Sequence, residues 1–401
     1  MKRIAIIGAG QAGCSAAFKL RQLGHDGPIT LYGEELEPPY QRPPLSKAYL
    51  LGEMSRERLY LRPHATYEEN GIDLKLGCTV SAIDPLAKTV HGSDGPDPYD
   101  ELILTTGSSA IPLPGACGGN LGGVYMLRTL ADIDAVAPEF APARKVLIVG
   151  GGYIGLEAAA VCAKLDLQVT VVEMSERILQ RVACEQTADY FKALHSAHGV
   201  HLLEQVGLDG LSGNVRAQQA QLSNGTTLDV DFVLVGIGIR PNIAPAQSAG
   251  LVIDNGIKTD AFGRTSAEGI WAAGDCASFP YNGQQIRLES VPNAIAQAEQ
   301  VAQNIMGAET TYAAKPWFWS DQYDVKLQIA GLNSGFDHVV TRIEEEPAST
   351  SHWYYAGKTL VAVDAMNAPR AFQVGRRMIE AGKSPDISDV ADAAIGLKSL
   401  L

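Results

Sequence analysis

The sequence predicts an α/β fold in three parts: two doubly wound units of one plan and a smaller α+β domain at the C-terminal end. Three observations carry this. First, the apolar run 3–7 leads into Gly8-Ala9-Gly10-Gln11-Ala12-Gly13, and the run 145–149 leads into Gly150-Gly151-Gly152-Tyr153-Ile154-Gly155. Second, each glycine cluster opens a helical pattern, Ala12, Ala16, Leu20 and Leu23 in one and Ile154, Ala158, Val161 and Leu165 in the other. Third, each helix is followed by a second apolar run ending in an acid, Glu34 or Glu173. Glycines at these places permit a tight turn and close backbone approach, and the helix start offers free N–H groups to a pyrophosphate. The acid about 20 residues on accepts hydrogen bonds from a ribose. One such signature is weak evidence; two complete strand–turn–helix–strand–acid units predict two Rossmann-like dinucleotide-binding domains. Electron transfer between the two dinucleotides is the economical reason for having both.

Within residues 1–109 the first unit carries an irregular insertion, 35–63, and a strand-rich patch, 72–106. The buried run 99–105 ends in Thr106-Gly107-Ser108, and Pro112-Leu113-Pro114-Gly115 reads as a linker. Residues 110–242 hold the second unit, which closes with a similar run into Gly236-Ile237-Gly238, so the plan is duplicated. Residues 243–316 contain another strand ending in Ala273-Gly274-Asp275 and a helix over 291–306, with Ser290 as cap and Pro292 in its first turn. From 317 to 401 the pattern changes to strand alternation (Val325, Leu327, Ile329), a hairpin through Ala356-Gly357-Lys358 and a final helix over 371–381.

At 401 residues, 46% apolar and 19% charged, the composition is that of an ordinary globular protein. The formal charge of −13 argues against nucleic acid and against an anionic membrane surface, though not against a local basic patch. Met1-Lys2-Arg3 runs straight into the first strand, and the best apolar stretch, 146–165, is broken by glycines and Glu157. The expectation is a cytoplasmic protein with no membrane contact. The Glu344-Glu345-Glu346 run reads as a solvated loop. Cys14, Cys78, Cys117, Cys162, Cys184 and Cys276 form no close pair, so reduced thiols are expected and neither a metal site nor a redox disulfide is indicated. His195, His198 and His201 read as surface or helix-end residues.

Several motifs together resemble one family over essentially the whole chain. They are Pro39-Tyr40-Gln41-Arg42-Pro43-Pro44-Leu45-Ser46-Lys47, Thr106-Gly107-Ser108, 150–157, Gly236-Ile237-Gly238-Ile239-Arg240-Pro241-Asn242, Ala273-Gly274-Asp275, 287–294 and, most discriminating, Pro316-Trp317-Phe318-Trp319-Ser320-Asp321-Gln322-Tyr323. The chain resembles the FAD-dependent, NADH-specific ferredoxin reductases of bacterial oxygenase systems, a branch of the glutathione-reductase-like flavoproteins. The resemblance implies an FAD-binding domain from 1–109 and 243–316, an NADH-binding domain from 110–242 and a C-terminal domain from 317–401. It implies non-covalent FAD and NADH as co-substrate. The partner would be a two-iron two-sulfur ferredoxin that feeds a haem-thiolate or Rieske oxygenase, with the reductase itself a monomer or a dimer.

Carried over residue by residue, the resemblance assigns to FAD Gly8, Gly10, Ala12, Gly13, Glu34, Arg42, Lys47, Val80, Thr106, Gly107, Arg128, Gly274, Asp275, Glu289, Ser290, Val291 and Trp319. To NADH it assigns Gly150, Gly152, Tyr153, Ile154, Gly155, Glu157, Glu173, Arg181, Gly236, Ile237 and Gly238. Lys47, Glu157 and Trp319 would act in catalysis: Lys47 as a cation beside the flavin, paired with Glu157, and Trp319 where the ferredoxin approaches. Trp319 as a packed aromatic, and Tyr153 as either flavin cover or core residue, stay open. Glu173 favours the free ribose hydroxyl of NADH over the phosphate of NADPH, with Arg177 the one residue placed to tolerate a phosphate. Glu299 stands where some relatives carry a basic residue, and Arg287 and Lys326 are the sequence candidates for a local docking patch. The alternatives are a rubredoxin reductase or NADH oxidase, an NADH-sensing scaffold similar to apoptosis-inducing factor and, last, a monooxygenase acting directly on an organic substrate.

Overall fold

The computed structural model describes residues 1–344 and 349–401, so Glu345 and Glu346 of the acidic run lie outside the described residues; Glu344 accepts a hydrogen bond from Arg342. The chain forms two compact units. The first comprises 1–42, 55–109 and 239–316; the second comprises 43–54, 110–238 and 317–401. This differs from the sequence expectation at 43–54, which leaves the first unit, and at 239–242, which joins it.

The first unit is built on a parallel five-stranded sheet in the order Ile270–Ala272, Glu101–Leu104, Ile4–Ile7, Ile29–Tyr32, Ile72–Lys75. The strands are short and nearly all apolar because both faces are covered. Helix Gln11–Gln22 lies against helix Val291–Ile305 through Ala16, Ala17 and Leu20 on one and Ala294, Ala298 and Val301 on the other. Ser290 caps the second helix, its Oγ accepting the Asn293 N–H at 3.3 Å.

In the second unit a parallel sheet runs Val124–Met126, Phe232–Val235, Lys145–Val149, Gln168–Glu173, His201–Glu204. The order matches the first sheet, with one change: the outermost strand beside Glu101–Leu104 follows the other four in the chain, whereas the one beside Phe232–Val235 precedes them. In both sheets the glycine cluster follows the central strand, where the winding reverses and ligands of such folds bind.

The C-terminal part of this unit is an antiparallel sheet in the order Trp317–Gln322, Val325–Gly331, Thr359–Met366, Thr350–Ala356, His338–Ile343. Helix Pro369–Glu380 covers one face through Ala371, Phe372 and Met378, and is followed by the shorter Ile387–Ala391. The other face, with Val325, Leu327 and Met366, packs on Leu156 of helix Tyr153–Lys164 and on Ala188 and Phe191 of helix Glu185–Ala197. Among the described residues no helix is long and apolar enough to cross a membrane, and no cluster of potential metal ligands is present.

Where helix Glu185–Ala197 meets the sheet, polar groups are sealed in. His352 and Asp364 face each other across two strands, and the Thr187 hydroxyl lies 2.8 Å from both. Tyr354 also donates to Asp364. His195 is the helix-end residue the sequence suggests, but it is fully buried rather than at the surface, because the helix turns its last buried face to the sheet.

Burial holds His195 and His352 neutral, each lowered to about 4, and raises Asp364 to about 6. Both histidines bind more protons unfolded than folded, so their contribution is present above pH 6.5 and is lost as pH falls toward 4. Asp364 acts oppositely, losing stability as pH rises through the same window. Two histidines outweigh one carboxyl, so stability should fall by roughly 1.4 kcal/mol per pH unit between pH 6 and 4.5. Urea unfolding across that range would show it, and Asp364→Asn should steepen the loss; a flat profile in both would contradict this balance.

Candidate active site

In the first unit, the turn after Ile4–Ile7 is tied down from the neighbouring strand. The Thr105 hydroxyl lies 3.0 Å from the carbonyl of Ile7 and 2.9 Å from that of Gly8. A Cβ on Gly8, whose φ is +115°, would stand 2.1 Å from the Thr105 carbonyl oxygen, and one on Gly13 2.0 Å from that of Gly8. Those two glycines are demanded by the fold itself. Gly10 is different: nothing lies within 4 Å of where its Cβ would be. The second unit repeats the contrast. Cβ atoms on Gly150 and Gly155 would meet backbone oxygens at 2.4 and 2.1 Å, while Gly152 faces open space. A glycine that the protein's own packing does not require, at the start of a helix, leaves room for a ligand's backbone-close approach, so both cradles fit a dinucleotide pyrophosphate.

Around the first cradle, Glu34 is exposed at the end of strand Ile29–Tyr32 and Ala12 and Val80 are buried. Arg42 bonds Glu35 at 2.5 Å and the Tyr40 hydroxyl at 3.0 Å. Asp275 accepts the Ser108 hydroxyl at 2.9 Å, and the N–H of Gly274 donates to buried Gln297 at 2.9 Å. The Thr106 hydroxyl donates to the Asn242 carbonyl, whose side chain returns a bond to the Thr106 carbonyl at 3.0 Å; Gly107 takes φ +66°. Glu289 pairs with Arg287, just before Ser290 and Val291 start their helix. Arg287 also donates to the carbonyls of Asn255 and Asp275 and is only 12% exposed, so it is no free docking cation; its charge is spent inside the unit. Lys326 is exposed.

In the second unit the Glu173 carboxylate accepts the N–H of Gly151 and that of Ser175, each at 2.8 Å, which sets it at the rim of the cradle. Arg177 donates to the carbonyls of Ile178 and Ala183, so its guanidinium is committed to the fold rather than offered to a phosphate. Arg181 reaches to within 3.7 Å of a Cβ position on Gly238, in the turn Gly236-Ile237-Gly238 after strand Phe232–Val235. Ile154 is exposed, and Tyr153 packs on Phe318 with ring centroids 5.1 Å apart. The Tyr153 hydroxyl is buried without a hydrogen-bond partner among the described residues.

The segment 43–54 brings Lys47 to this unit. Leu50 packs into the second sheet's core, Tyr49 donates to Asp134 at 2.8 Å and Glu53 pairs with Lys164 at 2.8 Å. The helical turn Leu45–Tyr49 kinks at Lys47 (φ −135°, ψ −111°). The Lys47 ammonium lies 2.7 Å from Glu157 Oε2, with side-chain exposures of 19% and 2%. Ser46 donates to the same oxygen at 3.2 Å and Ser320 to Oε1 at 2.7 Å. Trp319 is half-buried beside Trp317, ring centroids 5.5 Å apart. Arg128 precedes helix Leu130–Val136, its N–H bonded to Asp132. Lys47, Arg128 and Trp319 thus belong to the second unit, while the other residues assigned to FAD belong to the first. Sequence reasoning did not single out Ser46, Ser320, Gln322 or Gln297 for a role; the available signal was that Ser320 and Gln322 alternate with Trp319 on one strand.

Comparison with known proteins extends these features to a family. The profile described as pyridine nucleotide-disulphide oxidoreductase matches residues 2–298, and the one described as reductase C-terminal matches 317–401. The chain belongs to the pyridine nucleotide-disulphide oxidoreductase family. As a member it is an oxidoreductase that uses a flavin and a pyridine nucleotide. A ferredoxin–NAD(P)(+) reductase of a Sphingomonas species is 42% identical over 384 residues, covering 94% of this chain and 92% of its own. Rhodocoxin reductase of Rhodococcus erythropolis is 41% identical over 401 residues, covering 98% and 93%. A solved covalent complex of putidaredoxin reductase with putidaredoxin matches with a TM-score of 0.96 at 35% identity, over 100% of this chain and 98% of the other. Despite the family's name, the six cysteines are free thiols, five of them buried.

Proposed function

We propose that this family member is an FAD-containing, NADH-specific ferredoxin reductase whose electrons reach an oxygenase through a two-iron two-sulfur ferredoxin. The observation that carries the reading is the repeated cradle, in which Gly10 and Gly152 alone face open space. The flavin supplies what side chains lack, acceptance of a hydride and its release as single electrons. The first cradle and Glu34 would hold the adenosine diphosphate half of FAD, with Arg42 supporting it. Asp275, oriented by Ser108, accepts from the ribityl chain. The helix capped by Ser290 presents its N–H-rich start, which favours negative charge. The second cradle holds the NADH pyrophosphate. Lys47, fixed by Glu157, contributes the positive charge that hydride arrival calls for. Six unpaired thiols suit a reducing cytoplasm. The resemblance to a ferredoxin–NAD(P)(+) reductase and to a putidaredoxin reductase captured with putidaredoxin supports ferredoxin as the acceptor.

The test is turnover with purified holoenzyme. NADH should support cytochrome c reduction only when a two-iron ferredoxin is added; a faster reaction with rubredoxin, or direct oxygen consumption, would overturn the acceptor assignment. NADH should be preferred over NADPH by roughly tenfold or more, because one ribose contact of about 1.4 kcal/mol is worth that factor. Glu173→Ala should narrow the ratio, and equal use of both by the wild type would remove Glu173 from that role.

Trp319→Ala should slow the ferredoxin-dependent reaction roughly tenfold or more, as loss of an interface tryptophan does, while ferricyanide reduction stays close to wild type. Equal losses with both acceptors would make Trp319 a packing residue. With Arg287 committed to the fold, ferredoxin docking gains no help from it, and Arg287→Gln should act on stability rather than on the salt dependence of turnover.

A further inference from the structure

Strand Trp317–Gln322 has two faces with different work. Trp317 and Trp319 lie on one. On the other, Phe318 packs on Tyr153, Ser320 bonds Glu157, and Gln322 lies 2.8 Å from His195 Nε2. Gln322 Nε2 lies 3.2 Å from Ser320 Oγ, and the Tyr323 hydroxyl 3.1 Å from His195 Nδ1. A continuous chain therefore runs Glu157, Ser320, Gln322, His195, Tyr323. His198, exposed, stacks on Tyr323 with centroids 3.7 Å apart. Glu157, Ser320, Gln322 and His195 are each at most 2% exposed.

The chain has a direction. Ser320 has one hydroxyl hydrogen; given to the Glu157 carboxylate, it leaves Ser320 Oγ as an acceptor. Gln322 must then turn its NH₂ to Ser320 and its carbonyl to His195. His195 must carry its proton on Nε2, and Tyr323 donates to Nδ1. Every donor points toward Glu157, which also receives Lys47 and Ser46. A neutral donor at position 157 would reverse every link and move the His195 proton to Nδ1. The chain thus has two orientations, chosen by the charge at 157.

We infer that Ser320, Gln322, His195 and Tyr323 are positioning residues that hold Glu157 as a carboxylate against Lys47, so that the strand bearing Trp319 also fixes the cation used in hydride transfer. The part played by Lys47 rests on the proposed function; the directional chain rests on geometry alone. The amide of Gln322 cannot pass a proton without an unfavourable tautomer, so the chain orients and does not conduct. The titratable groups along it are Lys47 on its turn, Glu157 and His195 on their helices, His198 just past the end of the second, and Tyr323 in the turn after the strand. Burial lowers His195 to about 4, which fits a neutral imidazole throughout the working pH range.

The test uses flavin-loaded protein with ¹⁵N-labelled histidine. The wild type should show His195 as the Nε2–H tautomer, and Glu157→Gln, whose amide donates to Ser320, should convert it to Nδ1–H. A tautomer that stays the same overturns the inference. Ser320→Ala, which removes the link between Glu157 and Gln322, should release His195 from the Nε2–H tautomer into a mixture of both. Ser320→Thr, which keeps the hydroxyl, should restore it; a His195 tautomer unmoved by Ser320→Ala also overturns the inference. Failure of the functional reading looks different: a wild type that does not oxidise NADH, with the tautomer exchange intact.

Discussion

Lys47→Met is expected to damage both stability and rate, and the two losses should separate. Glu157 is 2% exposed and keeps Ser46 and Ser320 as donors when the ammonium is gone. Those hydroxyls do not neutralise it. An uncompensated buried carboxylate costs about 3–5 kcal/mol, because the desolvation already suffered is no longer offset. Reduction of the flavin by NADH, followed by stopped-flow absorbance, should slow by roughly 100- to 1000-fold, the range for removing one donor placed at developing charge. Adding Glu157→Gln to Lys47→Met replaces the orphaned charge by a neutral amide, so the double variant should recover much of the stability and none of the rate. NADH affinity should change far less than the rate. If the double variant recovers both, Lys47 serves only to satisfy Glu157, and the cation has no part in the chemistry.

This separation matters because a buried pair is weak evidence for stability by itself. Two apolar residues of the same volume would hold helix Tyr153–Lys164 to the turn Leu45–Tyr49 about as well. The fold nonetheless commits a kinked turn, two serines and a strand of the C-terminal sheet to one carboxylate. That expenditure is intelligible if the position of the ammonium is what the arrangement secures.

Much of this was legible in the sequence, and the reasons are local. Glycines before a helix, Ser290 ahead of Pro292, and Gly357-Lys358 between two alternating runs each act within a few residues, so their patterns survive in a one-dimensional reading. Lys47 beside Glu157 came from family resemblance rather than from spacing, since 110 residues separate them. What could not be read depended on long-range packing. Residues 43–54 look like a rigid insertion in the first unit; the apolar Leu50 and the partners of Tyr49 and Glu53 place them in the second. Arg287 reads as a surface cation, yet its Nε and Nη1 are engaged by two carbonyls and Glu289. His195 falls near a helix end, where exposure is the default, but the C-terminal sheet closes over it.

The second large effect concerns glycines that look alike in the sequence and differ in the structure. In Gly155→Ala the new methyl would stand 2.1 Å from the Gly150 carbonyl oxygen, a backbone atom that cannot rotate away, so the helix must shift from the strand. In Gly152→Ala it meets nothing within 4 Å, and the backbone there (φ −82°, ψ 179°) suits any residue. Gly155→Ala should therefore lose about 1–3 kcal/mol or more, as forced overpacking does. Gly152→Ala should unfold within about 0.5 kcal/mol of the wild type, as neutral substitutions do. Yet Gly152→Ala should bind NADH far more weakly, because its methyl occupies the space through which a pyrophosphate approaches the helix start. The first cradle repeats the comparison with a visible readout. Gly13→Ala, at 2.0 Å from the Gly8 carbonyl oxygen, should fail to accumulate as folded protein, whereas Gly10→Ala should fold and purify without yellow colour. Full flavin content in Gly10→Ala, or unchanged NADH affinity in Gly152→Ala, would mean that the open space above each turn is not where the dinucleotide lies.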